Sequence, residues 1–183
     1  MPRGAGKVWY LHMIIGYAAC ATLLAAALAA GSAAAADVRD LPQQLDLTQL
    51  VYVDSDGKRR GVVLEAQEAR VMPRTEQVVL RAVQLQLATS DDRGRLRLEC
   101  EHGQLDLKHG DFVGVGHVRG QTPDGRRFET ERLRYDHEAG LVTTDAPVVI
   151  RDKSGTLRGG GFLYQVREGR LKLTGGATVV GGP

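Results

Sequence analysis

Cysteine is scarce in this chain of 183 residues, and the two that occur, Cys20 and Cys100, are 80 positions apart. Cys20 lies inside a long uncharged run, so outside it only Cys100 remains and no intramolecular disulfide can staple a folded part together. A solitary thiol of this kind is expected to serve as a small buried apolar side chain. Metal-ligand spacing is missing too: His12, His102, His109, His117 and His137 form no His-x-x-x-His pair and there is no Cys-x-x-Cys, so no metal and no cofactor are expected. His109 and His137 stand beside turns and read as exposed. Aromatics make up 5% of the chain, and no basic stripe with interleaved rings is found, which excludes the usual footprint of a nucleic-acid binder. Acidic residues are absent before Asp37.

That acid-free stretch is the first thing the sequence does contain. Arg3 and Lys7 precede an uncharged run from Val8 to Ala36 that includes "MIIGYAACATLLAAALAA". Two readings fit. The run exceeds the roughly 20 apolar residues that span a bilayer, its amino end is basic, and Trp9 and Tyr10 sit where interfacial anchors belong, all of which suit a retained membrane helix. The ending "SAAAAD" suits signal peptidase, giving a soluble product cut near Ala36. Both deliver the remainder across the membrane. Without residues 1–36 the chain keeps 22 basic and 22 acidic residues, so the exported part is neutral. The expected division is 1–36 signal or anchor, 37–46 polar linker and 47–181 folded domain.

From residue 47 onward the sequence repeats. Turn signals "DSDG", "DDRG", "TPDG" and "DKSG" end at Gly57, Gly94, Gly125 and Gly155, and each leads into a similar segment. When Leu64, Leu98, Phe128 and Leu157 are superposed, Ala66, Cys100, Thr130 and Gly159 follow two places later. Such a period marks a stack of supersecondary units. Within each unit apolar and polar residues alternate, as in "LRLEC" and "QLDLK", and Val79, Val83, Leu85 and Leu87 share one parity; alternation of this kind puts one row inside and one in water. No amphipathic helix is legible. The expectation is an all-β, antiparallel domain.

The glycine run in "FVGVGHVRGQTPDG" invites a phosphate-loop reading. It fails, because such loops deliver phosphate to a helix N-terminus and here a turn and then a strand pattern follow. The alternative is a β-bulge at Gly114 and Gly116, with the inward face switching from Val113 and Val115 to Val118. Catalytic signals are thin. Ser55, Ser90 and Ser154 fall in turn clusters without a nucleophile elbow, and Glu99, Glu101, His102 and His117 supply only a scattered basis for a hydrolase. Glu99 and Glu101, or Glu129 and Glu131, share a strand face, but it is the charged outer row, where nothing raises a carboxyl into general-acid range. No enzyme is expected. The interior either packs shut as a β-sandwich or stays parted and admits an apolar ligand; alternation does not choose between them.

From about Leu47 to Val180 the pattern resembles LptC, the periplasmic component of the lipopolysaccharide export machine, and more distantly LptA and OstA-like domains. The segments "DGKRRGVVLEAQEA", "LECEHGQLDL", "GVGHVRGQTPDGRRFETERLRYD", "GLVTTDAPVVI" and "GGGFLYQVREGRLKLTGG" carry the resemblance. "SAAAAD" departs from it, being more cleavable than an LptC anchor needs. The resemblance implies a twisted β-jellyroll, or β-taco, of about four two-strand units preceded by a hydrophobic helix, in the inner membrane with its C-terminal domain in the periplasm. It implies lipopolysaccharide acyl chains on the inner rows, an inner-membrane ABC transporter at one end and an LptA-like jellyroll at the other. Inward-row candidates for lipid contact are Leu64, Leu85, Leu98, Leu105, Leu107, Val113, Val115, Phe128, Leu133, Tyr135, Val148, Ile150, Phe162, Leu171 and Leu173. Candidate partner edges are Leu50, Val51, Tyr52 and Val53 at one side, and Ala177, Thr178, Val179 and Val180 at the other.

Overall fold

The structure is a computed structural model that describes residues 43–56, 59–89 and 94–181; the expected hydrophobic segment lies outside them. Among the described residues no helix is long and apolar enough to cross a membrane. Ten antiparallel strands form one sheet: β1 (Leu45–Asp56), β2 (Arg59–Met72), β3 (Gln77–Ala88), β4 (Arg95–Asp106), β5 (Phe112–Gln121), β6 (Arg127–Asp136), β7 (Leu141–Thr144), β8 (Val148–Asp152), β9 (Gly155–Gln165) and β10 (Arg170–Gly181). The fold is the all-β antiparallel one that the alternation predicts. Each strand pairs with the next in sequence, except that β6 and β9 both pair with β7 along one half and with β8 along the other. β7 and β8 thus behave as one strand interrupted at Asp145-Ala146-Pro147, where proline cannot donate to a ladder.

The interruption is part of a crease that crosses the whole sheet. On β2 the inward residues are Ala66 and then Ala69, with Gln67 and Glu68 both facing solvent; on β3 Arg81 and Ala82 separate Leu80 from Val83. On β4 Glu101 and His102 separate Cys100 from Gly103, and on β6 Glu131 and Arg132 separate Thr130 from Leu133. Two adjacent outward residues reverse the pleat phase, and at this same line the backbone takes left-handed values at Gln49 (φ 60°), Ala82 (φ 50°), Gly116 (φ 82°), His117 (φ 42°), Gly175 (φ 69°) and Gly176 (φ 85°). The line divides every long strand into two arms. One arm contains β8 and the other β7.

The two arms face each other. Phe128, in the β8 arm, stacks edge-on against Phe162, in the β7 arm, with ring centroids 4.9 Å apart. Between the arms lies one apolar core, including Leu64, Leu80, Leu85, Leu87, Leu96, Leu98, Leu105, Phe112, Val142, Ile150 and Tyr164. Fully burying side chains of this size contributes roughly 1.5–3 kcal/mol each.

The bulge on β5 is where the glycine run placed it, since the register shifts between Val115 and Val118. Its consequence differs from expectation. β5 carries one residue more than β6 across the crease, so its inward parity does not switch: Phe112, Gly114, Val118 and Gly120 all face inward. Val113 and Val115, expected inside, therefore stand on the outer face at 37% and 46% exposure. The apolar valines drew attention away from glycines that occupy the interior row. Interior glycines make room for rings: a Cβ on Gly120 of β5 would strike the Phe128 ring, and one on Gly103 of the neighbouring β4 would come within 2.6 Å of Phe112. Val79 is corrected for a related reason, being exposed because β3 reverses phase at Arg81-Ala82.

Candidate apolar lining and edge strands

The inner surface is built from rungs that cross neighbouring strands. In the β8 arm one rung reads Tyr52, Leu64, Leu85, Leu98, Gly120, Phe128, Ile150, Leu157 and Val179. The four residues that superpose in the sequence repeat all lie on it, so the repeat is a spatial register. In the β7 arm a rung runs Leu45, Val71, Val78, Leu105, Phe112, Tyr135, Val142, Tyr164 and Leu171. Within each arm the inward row is mostly apolar, and adjacent strands place its residues side by side at close range.

Of the expected lining residues, Leu64, Leu85, Leu98, Leu105, Phe128, Leu133, Tyr135, Val148, Ile150 and Phe162 are brought together in the buried core. Leu107, Leu171 and Leu173 are partly buried against it, and so are Leu47, Val71, Cys100 and Leu157. Five of these half-open members lie at the β1–β2 and β9–β10 ends, and the other two, Cys100 and Leu107, lie on and just after β4. Leu50 and Tyr52, expected at a partner edge, turn their side chains into the core and leave Val51 outside. Val179 is 71% exposed at the opposite edge, and the Val180 side chain lies outside those the structure describes. Among the described residues β1 pairs only with β2, and β10 only with β9.

Residues that sequence reading missed include Leu80, Phe112 and Tyr164. The available signal was the outward doublets "QE", "RA", "EH" and "ER", which mark the phase reversal on four strands.

Burial sets the electrostatics of the lining. It pushes the Cys100 thiol up to about 11, so the thiol stays protonated, and its Sγ–H donates to the His102 carbonyl at 3.1 Å. It likewise pushes the Tyr135 phenol up to about 12 and raises those of Tyr52 and Tyr164. The outer ridge of the crease carries ion pairs instead. Glu68 meets Arg81 at 3.4 Å, Glu101 meets His117 at 2.7 Å, and Arg132 forks onto Asp145 at 2.8 Å. The Arg132 hydrogen bonds hold the Asp145 carboxyl below its usual range. Glu99, Glu101, His102 and His117 are all exposed on this outer face. Among the described residues no three His, Cys, Asp or Glu side chains are grouped to hold a metal.

Where the strand-end turns of the two arms meet, a cavity of about 300 Å³ is lined by Thr89, Pro123 and Asp124 from one arm and Tyr164, Arg167, Glu168 and Gly169 from the other. His137, expected to be exposed, is half-buried and bonds Asp54 at 3.2 Å.

A creased antiparallel sheet with a hydrocarbon interior and two open lateral edges defines a β-jellyroll of the taco type. The chain belongs to the lipopolysaccharide-assembly, LptC-related family, whose model matches residues 42–180. Its fold is similar to that of LptH, the LptA-homologous periplasmic component of the conserved lipopolysaccharide transport device from Pseudomonas aeruginosa. That likeness has a TM-score of 0.54 at 13% identity and covers 67% of this chain and 95% of the other; at such identity it speaks for the fold. No curated protein sequence matches.

Proposed function

We propose that the protein is a periplasmic, non-catalytic lipopolysaccharide-transfer component, tethered to the inner membrane by its N-terminal segment. It receives lipid from an ABC transporter at the β1 edge and passes it to an LptA-like jellyroll at the β10 edge. The observation that carries this reading is the continuity of the lining from one edge strand to the other, with accessible hydrocarbon at both ends: Leu47 and Val71 at one, Leu157, Leu171 and Leu173 at the other. Each methylene shielded from water gains roughly 0.8 kcal/mol, and contacts without direction let an acyl chain slide. Unpaired strand edges accept further strands through main-chain hydrogen bonds.

The test is photo-crosslinking in native membranes from Leu171 and Leu173. Lipopolysaccharide adducts are expected; adducts to protein alone would overturn the reading. A second reading is favoured by the fully packed centre around Leu64, Leu80 and Ile150, namely a closed sandwich that binds only protein through its edges. It predicts crosslinks near Val51 and Val179 to partner strands and none to lipid. The tether is tested by intact mass, together with emission from Trp9, the single tryptophan, which a chain cut near Ala36 would lack.

A further inference from the structure

The central lining is closed, yet the proposed function needs acyl chains to reach it. The arms meet mainly through apolar contacts such as Phe128 against Phe162. A hydrocarbon guest replaces such contacts in kind, so they resist parting only weakly once lipid is present. A polar pair such as a histidine with a carboxylate is different, because lipid offers it no substitute and separating it leaves partly buried polar groups without their partner. Among the ion pairs of the described residues, one joins the arms: His137 Nε2 to Asp54 Oδ2, 3.2 Å, with the side chains 30% and 23% exposed. Asp54 comes from the β8 arm on β1, and His137 from the β6–β7 turn of the other arm.

The imidazole is held in place by its surroundings. The Tyr135 ring lies edge-on at 6.0 Å, and its hydroxyl is 3.4 Å from Nδ1. The His137 main-chain N–H donates to Asp111 Oδ1 at 3.1 Å, and Arg134 holds the other Asp111 oxygen at 2.9 Å. Gly110 lets the ring sit close, since a Cβ there would be 3.0 Å from it. The crease concentrates the left-handed residues at which backbone rotation is absorbed.

We propose that the Asp54–His137 pair is a clasp between the two arms, and that acyl chains reach the central lining when it opens about the crease. This rests on the lipid-transfer reading. The experiment uses the full chain in native membranes, with Cys20→Ser and Cys100→Ala, and a photoreactive benzoylphenylalanine replacing either Phe128 in the centre or Leu173 at the edge. A short reducible bis-thiosulfonate linker between Asp54→Cys and His137→Cys holds the clasp shut. Linking is expected to abolish the lipopolysaccharide adduct at position 128, to spare that at 173, and to be reversed by reductant. Asp54→Asn or His137→Phe, which keep shape while removing the pair, are expected to raise the central adduct about five-fold, the factor equivalent to about 1 kcal/mol for one ion pair. An adduct at 128 unchanged by linking, or absent in every variant while 173 labels, overturns the clasp and leaves the transfer reading standing. Absence at both positions in the unlinked chain overturns the two together.

Discussion

Single side chains here do work that their residue types conceal. Gly120 faces the core like its neighbours, but its missing side chain is where the Phe128 ring lies. Gly120→Ala is therefore expected to destabilise the fold by about 1–3 kcal/mol through overpacking, read from urea denaturation of the purified protein. Asp106 shows the same economy at a turn. It accepts from the His109 ring at 3.0 Å, from the His109 N–H at 3.0 Å and from the Lys108 N–H at 2.8 Å, which hold its carboxyl down to about 2 from an ordinary 3.8. A depressed carboxyl stabilises fully above its unfolded value and loses that contribution as pH falls through its folded value. Asp106→Asn should thus flatten the stability profile between pH about 4 and about 2, and a wild-type difference that does not shrink in that window would refute the assignment.

At the level of strands, the crease explains why alternation was readable only in pieces. Each half-strand has a clean two-residue period, so the strands, their antiparallel pairing and the "TPDG" turn were legible: the Thr122 N–H bonds the Arg126 carbonyl and the Gly125 N–H bonds that of Thr122. The phase jump between halves was not, because a doublet such as Arg81-Ala82 looks like any polar step until its neighbours are aligned. Ala82 holds φ 50°, a conformation that costs an L-residue about 1–2 kcal/mol, whereas glycine in a strand ordinarily loses about 0.5–1 kcal/mol. Ala82→Gly is expected to leave stability unchanged or raise it by up to about 1 kcal/mol, measured by thermal or chemical unfolding. A loss typical of glycine in a regular strand would show that the crease is unstrained.

Across the whole molecule, the contrast is between a closed centre and open ends. Val179 stands on the last strand, where β10 has one strand neighbour among the described residues. Val179→Asp should change folding stability by no more than about 0.5 kcal/mol, as for most exposed positions. It should nonetheless reduce co-purification of a jellyroll partner if that edge is where strands are added. Unchanged recovery of the partner would place the junction elsewhere.

The sequence by itself determined an all-β chain, the turns that divide it, the repeat whose members Leu64, Leu98, Phe128 and Leu157 share a rung, and the apolar row available to line an interior. Those features follow from a period of two and from turn chemistry, both local. Only the tertiary structure decided which valines of β5 face out, that Gly114 and Gly120 share its inner row with Phe112 and Val118, and that Asp54 meets His137. Each of these depends on how the sheet bends over itself, which brings residues more than 80 positions apart together and is written in no single strand.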